Sequence, residues 1–392
     1  MAGITGMGTT YDLPNYTGEL MGISPEDTKL LSAIGGLTGG KSTNQTSVEW
    51  EGYDLRDPEE NRARLEGANA QTAQERVRFK VDNVVEIHQE TVDVSYTKQA
   101  AIGQLSGQSG VNPVTAELPW QVAQALKQVA RDVEASFIRG SYNKPTDNTT
   151  ERKTRGLLEA IETNVVNLGT ALTGASAATD VITITHALAA GDRVVFTDVG
   201  ASATIKTNVV YWVKSVSTTV SFKIAATEGG TAIVVGTATV SLYSLTGTAP
   251  LKATYDNLFQ LAYNHGGIAE SETATIIVGS DQKRNLSNAY ATDANNKVPD
   301  RNVGGVNMQV IETDFGKMNV MLNRWMPADS VCVSSLEQLA PRFLEIPGKG
   351  HFFEEDLAKI GASDRKQLYG EIGLEYGNEK AHGVIRGLPV FQ

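Results

Sequence analysis

Residues 76–96, RVRFKVDNVVEIHQETVDVSY, and residues 119–140, PWQVAQALKQVARDVEASFIRG, carry the pattern on which the fold turns. In the first stretch Val77, Phe79 and Val81 alternate with Arg76, Arg78, Lys80 and Asp82, and the residues from Val84 to Val94 continue extended. A period of two predicts strand with one face turned inward. In the second stretch Val122, Leu126, Val129, Val133 and Phe137 recur at spacings of three and four. That spacing predicts an amphipathic helix of about six turns packed through this stripe, with Gly140 as its stop.

Upstream, Ser47 to Leu55 has strand character again. Between the two strand regions the chain is dense in both charge signs: Arg56, Asp57, Glu59, Glu60, Arg62, Arg64 and Glu66. No core could bury these unpaired, so the segment reads as a long hairpin with a charged, exposed tip. The first forty residues are Gly- and Thr-rich apart from a short helix candidate capped by Ser24, with Pro25 in its first turn and Leu30, Leu31 and Ile34 on one face. They read as an arm.

From about Val165 to Pro250 charges thin out and Thr, Ala, Val and Gly dominate. Short strand candidates follow one another at Val181–His186, Arg193–Thr197, Val209–Val216, Ser221–Ala225, Ala232–Val235 and Thr237–Tyr243. This spacing predicts a small all-β sandwich or barrel inserted as a unit. Mixed α/β structure then resumes. A helix is expected at Tyr255–His265, a buried strand at Thr273–Val278 and another helix from Asp281. A hairpin about Asp314-Phe315-Gly316, a strand at Ser330–Val333, a helix near Glu354–Ile360 and a last strand through Gln367–Tyr376 complete the chain.

The composition is that of a globular chain of two or three cores: 392 residues, 41% hydrophobic and 20% charged. Its formal charge of −11 gives no long-range attraction to DNA or an anionic membrane. No run approaches the ~18 apolar residues of a membrane span, and no signal-peptide pattern opens the chain. Cys332 is the single cysteine, so neither a disulfide framework nor a cysteine-rich metal site can form; a reducing compartment suits such a chain.

Gly35 to Ser42, GGLTGGKS, satisfies the phosphate-loop pattern G-x-x-x-x-G-K-[ST]. Phosphate binding needs a strand before that loop and a helix after it. Here the order is inverted, with helical periodicity before and strand character after, so a Gly hinge is the better reading than an NTPase. The five histidines are scattered, no HExxH or G-x-S-x-G motif occurs, and no catalytic residue, metal site or cofactor is expected. Glu354, Glu355 and Asp356 read as the acidic first turn of a helix, with a cation site there as the minor alternative.

Arm, charged hairpin, long helix and mixed body occur in the order of the tailed-bacteriophage major capsid fold. Local stretches agree: Ile23-Ser24-Pro25-Glu26-Asp27-Thr28 with Val48-Glu49-Trp50, Thr313-Asp314-Phe315-Gly316 with Asn323-Arg324-Trp325-Met326-Pro327, and Ala358 to Asp364 followed by Gly370 to Glu379. On these residues the chain resembles an actinobacteriophage-type family of major capsid proteins, whose shell fold is shared with encapsulins. The insert, through Thr183 to Leu188, Gly191-Asp192-Arg193-Val194 and Tyr211-Trp212-Val213, resembles a small β-domain of phage structural proteins.

The resemblance implies an α+β capsid fold with an N-terminal arm over 1–46, an extended loop over 47–98 and a peripheral domain with its spine helix over 99–165. The inserted β-sandwich would span 166–250, and the axial domain with the remaining peripheral strands 251–392. It further implies a non-enzymatic shell protein that self-assembles into hexamers and pentamers around the phage genome. The expected partners are copies of itself, a portal, a separate scaffolding protein, decoration proteins, and packaged double-stranded DNA contacted weakly and without sequence preference. The expected location is the virion capsid, assembled in the host bacterial cytoplasm, with no membrane involved. Some relatives join a hairpin lysine covalently to a neighbour; no lysine lies between Lys41 and Lys80 here, so a non-covalent shell is expected. The alternatives are an encapsulin-like nanocompartment, a tail-tube or baseplate protein, and an NTPase.

Overall fold

The computed structural model describes residues 27–100, 117–245, 247, 250–268, 274–291 and 310–390, except 54, 56, 57, 59, 61, 71, 73 and 74. The chain forms two sheet-and-helix units, a projecting hairpin and a closed barrel.

One unit is a six-stranded sheet in the order Val310–Thr313, Gly316–Leu322, Ala274–Val278, Ser330–Ser335, Gly383–Arg386 and Val165–Asn167. Its central strand, ATIIV, is buried along its whole length, which is why it reads as an unbroken apolar run. Helices Lys252–Asn264 and Ser280–Ala291 cover it, with Tyr255, Leu258, Phe259, Leu286 and Tyr290 packing on Ile276, Val278, Val331 and Ile385.

The second unit carries the helix expected at 119–140, observed as Glu117–Arg139. It lies on a five-stranded sheet built around the 13-residue strand Ser363–Glu375, which pairs with Glu86–Ser95, Ala340–Leu344 and Phe352–Asp356. Val129, Val133, Phe137 and Ile138 enter a core with Leu30, Leu31, Leu157, Phe343, Ile372 and Leu374. The helix stops where predicted: a Cβ on Gly140 would sit 2.4 Å from the Ser136 carbonyl oxygen and 2.6 Å from that of Thr154.

Several expectations are corrected. Leu126 is 41% exposed and Val122 only half-buried, because the sheet contacts a face on which Ala125, not Leu126, points inward. The region 76–96 is two strands rather than one. Arg78–Val84 pairs with Ser47–Tyr53 as the hairpin, and after Val85 the strand Glu86–Ser95 turns into the sheet. Phe352–Asp356 is a strand, so the acidic cluster does not begin a helix. The strand predicted as the last begins earlier, at Ser363, and is followed by Gly383–Arg386, which is wholly buried.

Of the two forms expected for the β unit, sandwich or barrel, the structure has the barrel, closed by six strands: Gly169–Ala178, Val181–Thr183, Arg193–Asp198, Val210–Ser217, Ser221–Ala225 and Ala238–Leu245. Closure leaves no unpaired edge. Its first strand, GTALTGASAA, has small residues of low β-propensity and gave no period-two signal. Ala232–Val235 makes only an isolated bridge, Ala225 to Ala232. The core is Ile182, Val194, Phe196, Phe222, Ile224, Val240 and Leu242. Entry and exit are adjacent, since Gly169 and Leu245 are paired residues.

Candidate functional site

The hairpin is held at its root by buried polar contacts. Asn83 shares the strand face of Phe79 and Val81 but is 1% exposed at the point where the hairpin joins the body. Its Nδ2 donates to the carbonyls of Leu374 at 2.7 Å and Arg155 at 3.2 Å. Its Oδ1 accepts from the Val84 and Arg155 amides, each at 2.8 Å. Both functions of one amide are thus satisfied. Trp50, on the opposite strand, donates Nε1–H to the Gly377 carbonyl at 2.7 Å and meets the Tyr376 ring edge-on at 4.9 Å.

Asp82 adds a charged latch. It accepts from Tyr142 Oη at 2.7 Å and Lys144 Nζ at 2.9 Å, while the Arg155 guanidinium stacks 4.3 Å over the Tyr142 ring. Partial burial pushes the Asp82 carboxyl up, but the bonds from Lys144 and Tyr142 outweigh it and leave its pKa below the ordinary value. Further out the strands carry cross-strand ion pairs, Glu51 with Arg78 at 3.2 Å and Glu49 with Lys80 at 3.7 Å, both exposed. Such pairs set register more than stability.

Of the predicted tip residues, Glu60, Arg62, Arg64 and Glu66 are exposed; Arg56, Asp57 and Glu59 lie outside the described residues. The tip is less uniformly charged than its sequence suggests. Tyr53 is 65%, Leu55 76%, Leu65 86% and Val77 80% exposed.

A buried acid joins the short helix Lys29–Ile34 to the long helix Glu117–Arg139. Glu134 is fully buried, and its carboxylate accepts from the Leu30 amide at 3.3 Å, the Leu31 amide at 3.4 Å and Asn323 Nδ2. It caps the first turn of the short helix Lys29–Ile34. Burial raises its pKa, against the lowering effect of these bonds. The sequence signals for both anchors were present but unread. Asn83 falls on the apolar phase of its strand and Glu134 beside Val133 and Phe137 on the apolar face of its helix.

The barrel is tied to the body by Arg193 with Asp329 at 2.7 Å, by Lys206 donating to the Tyr142 carbonyl, and by Arg386, which donates to the Leu158 carbonyl and, at 3.4 Å, to Asn208 Oδ1. Burial pushes the Arg386 pKa down to about 10, with the Cys332 and Asp329 charges opposing. Around these ties lies a cleft of about 1180 Å³.

The phosphate-loop pattern has no phosphate-binding setting. The helix Lys29–Ile34 precedes it and the strand Lys41–Thr43 follows. Gly40 is required by packing, since a Cβ there would lie 2.3 Å from both the Phe343 ring and the Pro341 carbonyl. Lys41 Nζ pairs with Glu375 at 3.4 Å. Among the described residues no group of three or more His, Cys, Asp or Glu is placed to hold a metal ion. No described helix is long and apolar enough to cross a membrane.

The family model described as SU10 major capsid protein matches residues 3–389. The chain belongs to the SU10 major capsid protein family. A curated relative, the major capsid protein of Escherichia phage Phieco32, is 29% identical over 118 residues; the match spans 30% of this chain and 30% of the relative's own length. Solved structures share the fold over almost the whole chain. The cyanophage A-1(L) capsid asymmetric unit aligns with TM-score 0.56 and 13% identity over 96% of this chain and 97% of that one. The capsid of a native GTA particle aligns with TM-score 0.52 and 12% identity over 100% and 99%. The cyanophage P-SCSP1u capsid aligns with TM-score 0.50 and 10% identity over 98% and 96%.

Proposed function

We infer that the chain is the structural subunit of a phage head, whose copies gather as hexamers and pentamers into a closed icosahedral shell around the packaged genome. The match to the SU10 major capsid family across residues 3–389 carries this reading. The hairpin is its contact arm. A loop rooted by Asn83, Trp50 and Asp82 yet exposing Tyr53, Leu55, Leu65 and Val77 has apolar surface that no described residue of the chain covers, and a neighbouring copy would bury it. Burial of each such side chain stabilises by about 1.5–3 kcal/mol, and a closed assembly repeats the gain at every subunit. The charged tip residues add small, salt-sensitive contributions.

The shell is non-covalent, for no lysine occurs between Lys41 and Lys80. The barrel, closed and joined through paired ends, faces outward as a built-in decoration. A portal and a separate scaffolding protein complete assembly in the host cytoplasm, decoration proteins are a further class of partner, and DNA inside is contacted weakly, in keeping with a net charge of −11. The chain acts as a structural protein and not as an enzyme.

Electron microscopy of the protein expressed alone and with a scaffolding protein tests this. Closed shells or hexameric and pentameric capsomers are expected, with a single monomer band on denaturing gels. Stacked tubes would indicate a tail component. A persistent monomer would overturn the reading, a crosslinked ladder the non-covalent shell, and empty shells that load a cargo protein instead of DNA would favour a nanocompartment.

A further inference from the structure

The polar ties between barrel and body lead to two different places. Arg193 pairs with Asp329, beside the strand Ser330–Ser335, and Asn208 accepts from Arg386, at the end of the strand Gly383–Arg386. Both ties lead to the six-stranded sheet, as does Val165–Asn167, through which the chain enters the barrel. Lys206 reaches elsewhere. Its Nζ donates to the Tyr142 carbonyl and, at 3.3 Å, to Ser141 Oγ, on the loop 140–156 that follows the long helix.

The same loop holds the root of the hairpin. Tyr142 Oη and Lys144 Nζ both donate to Asp82, and Lys144 also reaches Ser47 Oγ at 3.0 Å. On the returning limb the Arg155 amide donates to Asn83 Oδ1 and the Thr154 amide to the Glu86 carboxylate at 3.2 Å. Lys206 of the barrel and Asp82 of the hairpin thus grip one residue, the first by its carbonyl and the second by its phenol. The loop between them is internally braced. Asn143 and Lys153 exchange both backbone bonds at 3.0 Å, the Gly156 amide donates to the Gly140 carbonyl at 2.9 Å, and the Tyr142 amide donates to Glu159 at 2.8 Å. Backbone groups paired in this way open together rather than singly. The barrel core shares no residue with the two cores of the body, so its seat depends on the polar ties and on its two chain connections.

We propose that the loop 140–156 is a strut that couples the barrel to the hairpin. The seat of the barrel, held through Lys206, sets how firmly Tyr142 latches the hairpin root at Asp82, and the latched root in turn steadies the barrel. A displacement of the barrel is therefore felt at the hairpin. Such linkage is reciprocal. It is a property of one subunit and stands whether or not the hairpin contacts a neighbouring copy.

Hydrogen exchange of the unassembled full chain tests the coupling in both directions. Lys206→Met is expected to speed exchange several-fold in the hairpin strands Ser47–Tyr53 and Arg78–Val84, and Asp82→Ala to do the same in the barrel strands Arg193–Asp198 and Val210–Ser217. Arg193→Met is the comparison. It breaks a tie to the six-stranded sheet, and should loosen the barrel while leaving the hairpin as in wild type. Tyr142→Phe keeps the carbonyl for Lys206 and loses only the bond to Asp82, so it serves if the other variants fail to fold, and it too should speed barrel exchange. A loosened barrel with an unchanged hairpin in Lys206→Met, or a loosened hairpin with an unchanged barrel in Tyr142→Phe, would overturn the proposal. So would hairpin exchange accelerated as much by Arg193→Met as by Lys206→Met, or acceleration of the buried strand Ala274–Val278 equal to that of the hairpin, since either would mean a general loosening of the subunit.

Discussion

Replacing Asn83 by Ala tests whether the hairpin is aimed by its root. The side chain is 1% exposed and makes four hydrogen bonds, two of them in fully buried surroundings, to the Val84 amide at 2.8 Å and the Leu374 carbonyl at 2.7 Å. The other two, to the Arg155 amide and carbonyl, are partly buried. Alanine removes both functions of the amide and leaves backbone groups that cannot all reach water. A buried group left unpaired costs about 1–3 kcal/mol and a partly solvated one less, so the whole change is expected to destabilise the subunit by about 3–4 kcal/mol. Because the lost bonds join strand Arg78–Val84 to residues 155 and 374, the damage should be local to the hairpin root. Denaturant unfolding of unassembled subunits measures the first quantity, and hydrogen exchange of the amides at 47–53 and 78–84 the second. Tyr142→Phe, which removes a single half-exposed bond to Asp82, should cost no more than about 1 kcal/mol. A loss below about 1 kcal/mol for Asn83→Ala, with hairpin exchange unchanged, would refute the idea that this residue anchors the loop.

Two of the buried imidazoles, His88 and His382, are expected to make the subunit acid-labile. Burial pushes His88 and His382 from 6.5 down to about 4, so the unfolded chain binds protons that the folded one does not. Their contribution is complete above pH 6.5 and lost as pH falls toward 4, by about 3 kcal/mol for each; His88→Phe should flatten the measured stability profile in that window. Glu134 has the opposite sign. Its pKa is raised by burial, so the stability it contributes is greatest at low pH and declines as pH rises through the folded value; Glu134→Gln, whose Nε2 would face N–H donors where the carboxylate accepts from three, should lower stability overall yet remove this pH dependence, as thermal melts across a pH series would show. Replacing 169–245 by a short Gly-Ser link should leave the shell fold and particle formation intact, because Gly169 and Leu245 are already paired neighbours; aggregation of the deleted chain, with no particles by electron microscopy, would mean the barrel is needed to complete the body.

Most of the element order was legible because its signals are local. The stripe Val129, Val133 and Phe137 fixed the spine helix, alternation at Phe79 and Val81 the hairpin strand, and ATIIV the central strand. The misreadings have local causes too. A strand of Gly, Thr, Ala and Ser has no hydrophobic alternation, and FFEED has the acidic character of a helix start although Ser363–Glu375 recruits it as a sheet partner.

The sequence by itself determined that the chain has a charged hairpin, a long amphipathic helix and a β unit between 165 and 250, since periodicity and charge density are properties of neighbouring residues. Only the tertiary structure decided that 76–96 divides at Val85 between hairpin and sheet, that Asn83 and Glu134 are anchors, and that Leu126 faces an open groove. Those outcomes depend on partners such as Leu374, Asn323 and Phe353, nearly 200 residues or more along the chain. Helical spacing places a residue on a face; what that face meets is set by the sheet packed against it.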